Sequence, residues 1–246
     1  MKEKRIYSTS FQVSHYTLRK WLGILGVTLP FVLWFGSRML GQPTLAPSIS
    51  HYYYSKMTVY FTGVLCAFGL YLFAYRGYKK KNDEYVSDNL VTNIAGFLAI
   101  LTALIPTECC NIIYCGFHCT AANAPVNGSS QAIIHLMCAG AFLIIMGGLS
   151  IFKFTRINTD KRYKRQKRLA FIWCGGIVWA AIVFLVIDMF LLSEPLGYHD
   201  VFWAETIALI AFGASWLIKS KEIDPLMAFV VAKLNGKSTA EIFSAK

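Results

Sequence analysis

Six runs of about twenty largely apolar residues follow one another along the chain, at approximately 21–41, 57–76, 88–106, 131–152, 169–192 and 201–218. A helix needs about twenty such residues to cross roughly 30 Å of hydrocarbon at about 1.5 Å per residue. Of the 246 residues 56% are hydrophobic and the mean hydropathy is +0.48, more apolar than one soluble core of this size requires. A lipid-exposed backbone must satisfy its own hydrogen bonds, and these runs are too long and too uniform for the alternating strands of a barrel. The sequence therefore predicts an all-α, polytopic membrane protein built as a bundle of six transmembrane helices.

The formal net charge of +11 does not imply a nucleic-acid partner, because the basic residues lie in short stretches between apolar runs. Apart from Arg38 and Lys56, all 24 Lys and Arg residues fall before residue 21, within 76–81, within 153–168, or from Lys219 onward. The loops 107–130 and 193–200 contain none. Lys and Arg concentrate on the cytoplasmic side of membrane proteins. Six crossings place all four stretches on that side, with both termini cytoplasmic. The expected organisation is a cytoplasmic segment 1–20, a transmembrane domain 21–218 and a cytoplasmic tail 219–246. The first run is too long for a signal-peptide core and lacks a small-residue cleavage site, so it reads as an uncleaved span. In the tail, Asp224-Pro225 and Asn235-Gly236 bracket a short interfacial helix at 225–234.

The outer loop between spans 3 and 4 carries Cys109, Cys110, Cys115 and Cys119, with His118 beside the last. In an oxidising compartment these make one or two disulfides; a zinc site and free thiols are the alternatives, and no paired C-x-x-C spacing is present. Cys66, Cys138 and Cys174 fall inside spans and read as packing residues. Asn127-Gly128-Ser129 is a glycosylation sequon on the outer side.

Ionisable residues inside spans are costly unless they are paired or face water. His135, Asp188 and Glu205 each lie about five residues from the outer boundary, at a common depth of about 6 to 8 Å. Around the mouth of that level stand Arg38, Ser48, Ser50, His51, Glu108, His199 and Asp200. Three readings compete for Arg38, Ser50, His51, His135, Asp188, His199 and Glu205. One is a structural network in which Arg38 or His135 neutralises Asp188 or Glu205. A second is a pocket for a lipid phosphate. The third is a catalytic zinc site with His51, His135, His199 and Glu205 as ligands, or with Glu205 or Asp188 as base. Tyr52, Tyr53, Tyr54 and Trp203 suit an interfacial aromatic belt, and Gly175, Gly176 and Gly213 allow close helix approach.

Pro47-Ser48-Ile49-Ser50, His135, and Glu205 followed by Ala211-Phe212-Gly213 resemble the damage-regulated autophagy modulator (DRAM) and FGF-receptor-activating protein superfamily. The segment Phe202 to Leu217 is also similar to one found in uncharacterised bacterial six-span proteins. The resemblance implies a role in membrane lipid homeostasis and groups Ser50, His135 and Glu205 in one outer-leaflet site.

The expected function is thus an integral membrane protein with an outward-facing polar pocket that binds or handles membrane lipid. An intramembrane metal hydrolase is the first alternative, although His-x-x-x-His and His-Glu-x-x-His spacings are missing. A small-solute or proton-coupled transporter is the second. A retinal-based sensor is disfavoured because no Lys lies in the apolar part of a span. Enzymatic activity stays undecided at this level, as does a homo-oligomer or a protein partner in the membrane, and zinc is the cofactor that the His and carboxylate donors would take.

Overall fold

The computed structural model describes residues 2–42, 45–75, 77, 86–108, 129–156, 164–190, 197 and 199–220, the side chains of 2–15 and of Phe190 excepted. The four-cysteine loop, most of the sequon and the tail helix expected at 225–234 lie outside the described residues. The elements are α1 (Lys2–Met39), a 3-10 helix (Ser50–Tyr54), α2 (Thr58–Ala74), α3 (Asp88–Leu104) and α4 (Ser130–Gly148), which continues as a π-helix (Leu149–Phe154). They are followed by α5 (Lys164–Phe190) and α6 (Asp200–Lys219). The described residues contain no strand.

Helices stand at all six expected positions. Four stretches are long and apolar enough to cross a membrane, namely Tyr16–Met39, Ser130–Phe154, Lys164–Met189 and Asp200–Lys219. The helices α2 and α3 have 17 residues each, a length of about 26 Å. At the N-terminus α1 runs without a break through residue 21, where the first apolar run begins. The polar segment is an extension of α1, because residues 2–20 hold neither Gly nor Pro to interrupt the backbone ladder. Serine caps set two other starts: Ser87 Oγ accepts from the Leu90 amide at 3.2 Å, and Ser129 Oγ from the Ala132 amide at 3.3 Å.

Each helix packs against its neighbour in sequence, and α6 closes the ring onto α1. Three of these contacts are locked by facing glycines. A Cβ on Gly213 would lie 2.6 Å from the Gly23 carbonyl oxygen, one on Gly69 2.7 Å from that of Gly96, and one on Gly175 2.6 Å from that of Gly147. Backbones this close exclude any side chain, and they join α1 to α6, α2 to α3 and α4 to α5. Inside the ring Phe212 meets Phe68 of α2 at 5.5 Å and Phe142 of α4 at 6.1 Å. One turn further along, Trp216 takes Tyr75 and Phe154 edge-on at 5.1 and 4.9 Å.

The bundle has two chemically different ends. At the basic end Lys153, on the π-turn, forms an ion pair with Asp88 of α3 at 2.9 Å. At the opposite end residues 46–54 fold back over the helix ends as a strap.

Candidate functional site

The strap is built from the Pro47-Ser48-Ile49-Ser50 stretch and the 3-10 helix behind it. A short helix begins with amides that have no intrahelical acceptor, and here a distant carboxylate supplies one. Glu205, one turn into α6, accepts the Ile49 amide at 2.6 Å. The Pro47 carbonyl accepts the Phe202 amide at 2.9 Å, and the His199 ring lies 3.4 Å from the Ala46 carbonyl. The start of α6 and the strap therefore hold each other. On the other flank the Tyr54 hydroxyl donates to the Thr107 carbonyl at 2.6 Å, tying the strap to the exit of α3.

Two imidazoles lie beneath. His51, 8% exposed, has Nδ1 2.6 Å from Ser48 Oγ, and its amide donates to the same oxygen. His135 of α4, 3% exposed, has Nδ1 2.7 Å from the Ile105 carbonyl. A carbonyl only accepts, so the His135 proton is on Nδ1, and Nε2 is a buried lone pair with no hydrogen-bond partner. Burial and the neighbouring His135 lower the His51 pKa to about 4, so His51 is neutral at physiological pH. Burial likewise raises the Tyr52 and Tyr54 hydroxyls to about 12 and pushes the Glu108 carboxyl up.

Below the strap is a cavity of about 50 Å³, with Glu205, Ser50 and Thr102 as its polar wall and Leu29, Phe61 and Phe142 among the apolar residues. That volume suits water or a small polar group. Larger spaces open sideways between helices. One of about 470 Å³ lies between α1 and α2, lined by Leu25, Tyr60, Gly63, Val64 and Ala67 with Lys56 at its mouth. Another of about 340 Å³ lies between α5 and α6, with Asp200 and Trp203 at its strap end and Ile177 and Phe184 along it.

Of the residues singled out from sequence, the fold gathers Ser48, Ser50, His51, His135 and Glu205, and brings His199 to the start of the strap. Arg38 is exposed at the end of α1, and Asp188 is buried on α5. The hydrogen bond of Glu205 runs to the Ile49 backbone amide, and neither Arg38 nor His135 is paired with it. Among the described residues no three His, Cys, Asp or Glu side chains converge as metal ligands, because Glu205 and His199 engage the strap backbone. Tyr52, expected in the aromatic belt, is fully buried against Phe202 at 6.3 Å, whereas Trp203 is 44% exposed. Lys56 was legible in the sequence only as an exception to the charge distribution, and its groove has no signature because it lies between two separate helices.

Fold and site define a helical membrane protein whose loop after the first helix is bound into the end of the bundle. Within that class the chain belongs to a family of unknown function (DUF7103), which matches residues 28–220. No curated protein and no solved structure matches the chain.

Proposed function

We propose that the chain is a six-span integral membrane protein, with both termini in the cytoplasm, that binds a phosphate-bearing lipid in the leaflet facing away from the cytoplasm. The observation that carries this reading is the α1/α2 groove of about 470 Å³ with Lys56 at its mouth. Its apolar wall suits an acyl chain. The Lys56 ammonium donates to the Leu40 carbonyl at 2.6 Å and has further N–H donors for a headgroup phosphate. Both the charge distribution and the resemblance to lipid-homeostasis proteins favour an outward strap end. A hydrophobic length of about 26 Å lets α2 and α3 cross as well, with slight thinning of the bilayer around them. The outward-facing polar pocket of this reading is the Ser50, His51, His135 and Glu205 cluster. It lies on the opposite face of α2, where Phe61 and Leu65 line the inner cavity.

The test fills the groove. A Cβ at Gly63 meets nothing within 4 Å, so Gly63→Trp occupies the space with little disturbance of the fold. Lipids that co-purify with wild type, with Gly63→Trp and with Lys56→Glu are compared by mass spectrometry. Several-fold less phospholipid on both variants, at unchanged melting temperature, is the expected result. The same lipids in the same amounts on all three proteins end the proposal.

A further inference from the structure

We propose that the groove between α5 and α6 binds an ethanolamine phospholipid, with the Asp200 carboxylate as the receptor for its primary ammonium. The groove measures about 340 Å³, a volume typical of small-molecule sites. Ile177, Ala180 and Phe184 of α5 and Ile207 of α6 line it, and all four are exposed, so its length is apolar and open to the hydrocarbon of a bilayer. Asp200 lines its strap end, and the Asp200 Oδ2 is buried with no hydrogen-bond partner. Gly197 leaves room beside that group: a Cβ there would lie 2.9 Å from Oδ1 and 3.1 Å from Oδ2, so a side chain at 197 would crowd the carboxylate.

The chain brings no cation to Asp200. Among the described residues Arg38 and Lys56 are the Lys and Arg at this end, and neither forms an ion pair with it: Arg38 is exposed at the end of α1, and the Lys56 ammonium sits on the Leu40 carbonyl. The segments 107–130 and 193–200, which connect helices at the same end, hold no Lys or Arg. A buried carboxylate oxygen without a donor is costly, and what would satisfy it is a charged donor on an apolar tail. A primary ammonium offers three N–H groups, as a lysine does. The quaternary ammonium of choline offers none, and the carboxylate of phosphatidylserine would stand against that of Asp200. Trp203, exposed on the same wall, adds an aromatic ring for the ammonium and suits the headgroup level of a bilayer. A partner helix, about 10 Å across, is too broad to enter a furrow of this size, whereas an acyl chain is thin enough.

The test reads lipid selectivity. Full-length protein is reconstituted in nanodiscs of phosphatidylcholine mixed with phosphatidylethanolamine or with phosphatidylserine, extracted into detergent, and the retained lipids are counted by native mass spectrometry. The readout is the ratio of bound ethanolamine to bound choline lipid. A phosphate-binding groove between α1 and α2 does not set that ratio, because both lipids carry the same phosphate. Wild type should retain phosphatidylethanolamine severalfold over its share of the mixture and should not enrich phosphatidylserine. Asp200→Asn keeps the shape and removes the charge. It should lose the enrichment and, in phosphatidylcholine alone, melt no lower than wild type, because Oδ2 has no partner to lose. Ala180→Trp leaves the carboxylate in place and fills the groove from an exposed position, and it should lose the enrichment too. Equal retention of all three lipids by wild type overturns the assignment, as does enrichment that survives in either variant. A dimer in the native spectrum that Ala180→Trp breaks apart gives the groove to a second copy of the chain and overturns it as well.

Discussion

Glu205 holds the strap by accepting the Ile49 amide at the start of a helix too short to satisfy its own first donors. Glu205→Gln retains one acceptor oxygen and turns an amide donor toward the backbone. A charge-assisted hydrogen bond contributes about 1.5 to 3 kcal/mol, and a buried donor left alone costs a similar amount. Thermal melts in detergent should therefore show Glu205→Gln destabilised by about 2 kcal/mol and Glu205→Ala by more; a Gln variant that melts like wild type would show that the carboxylate is not holding the strap. His51 gives a pH dependence. Its pKa is about 4 in the fold against 6.5 when unperturbed. Between those values the unfolded chain takes up a proton that the folded chain refuses, so stability is full above 6.5 and falls as the pH is lowered towards 4. The loss amounts to about 3 kcal/mol and levels off below the folded value. Melting temperatures of wild type should decline across that window, and His51→Asn, which has nothing to titrate there, should flatten the decline.

At the scale of elements the glycine contacts decide how closely the helices approach. A methyl group at Gly213 meets the Gly23 oxygen at 2.6 Å and the Val27 amide nitrogen at 2.7 Å, both backbone atoms that cannot swing aside. Gly213→Ala should separate α1 from α6 and cost about 2 kcal/mol or more. Gly176→Ala, where nothing lies within 4 Å, should be neutral or gain up to about 1 kcal/mol from helix propensity. Melts of the two proteins check both signs; equal effects would show that the close approach is not limiting. Both positions were read from sequence as packing glycines. Only the rotation of α5 in the ring shows that Gly175 faces α4 while Gly176 faces away, since the whole helix is apolar around its circumference and periodicity carries little information.

Across the whole molecule the ring has one end closed by the strap and one end rich in buried cations, an asymmetry that the six-span reading sets across the membrane. Single cysteines at Met39, Lys79 and Arg165, in a background lacking the seven native ones, test it with a membrane-impermeant maleimide on intact cells. Met39→Cys should react, and the other two should be protected. Reaction at Lys79→Cys together with Met39→Cys would mean that α2 does not cross, and the reverse pattern would invert the orientation.

The helical class and the placement of all six helices were legible in the sequence because their cause is local. The length of an apolar run and the need of its backbone to satisfy itself act within one segment. The partners of the polar residues were not legible. The Ile49 amide and Glu205 are 156 residues apart in sequence, and each stretch on its own gives no sign of the other. Lys153 and Lys219 read as topology markers until the fold placed them beside Asp88 and on the Phe154 ring. Sequence by itself determined that this chain forms apolar helices and roughly where along it each one lies. Tertiary structure alone decided which charges meet and how far the strap is buried, because those contacts exist only once six separate segments close into a ring.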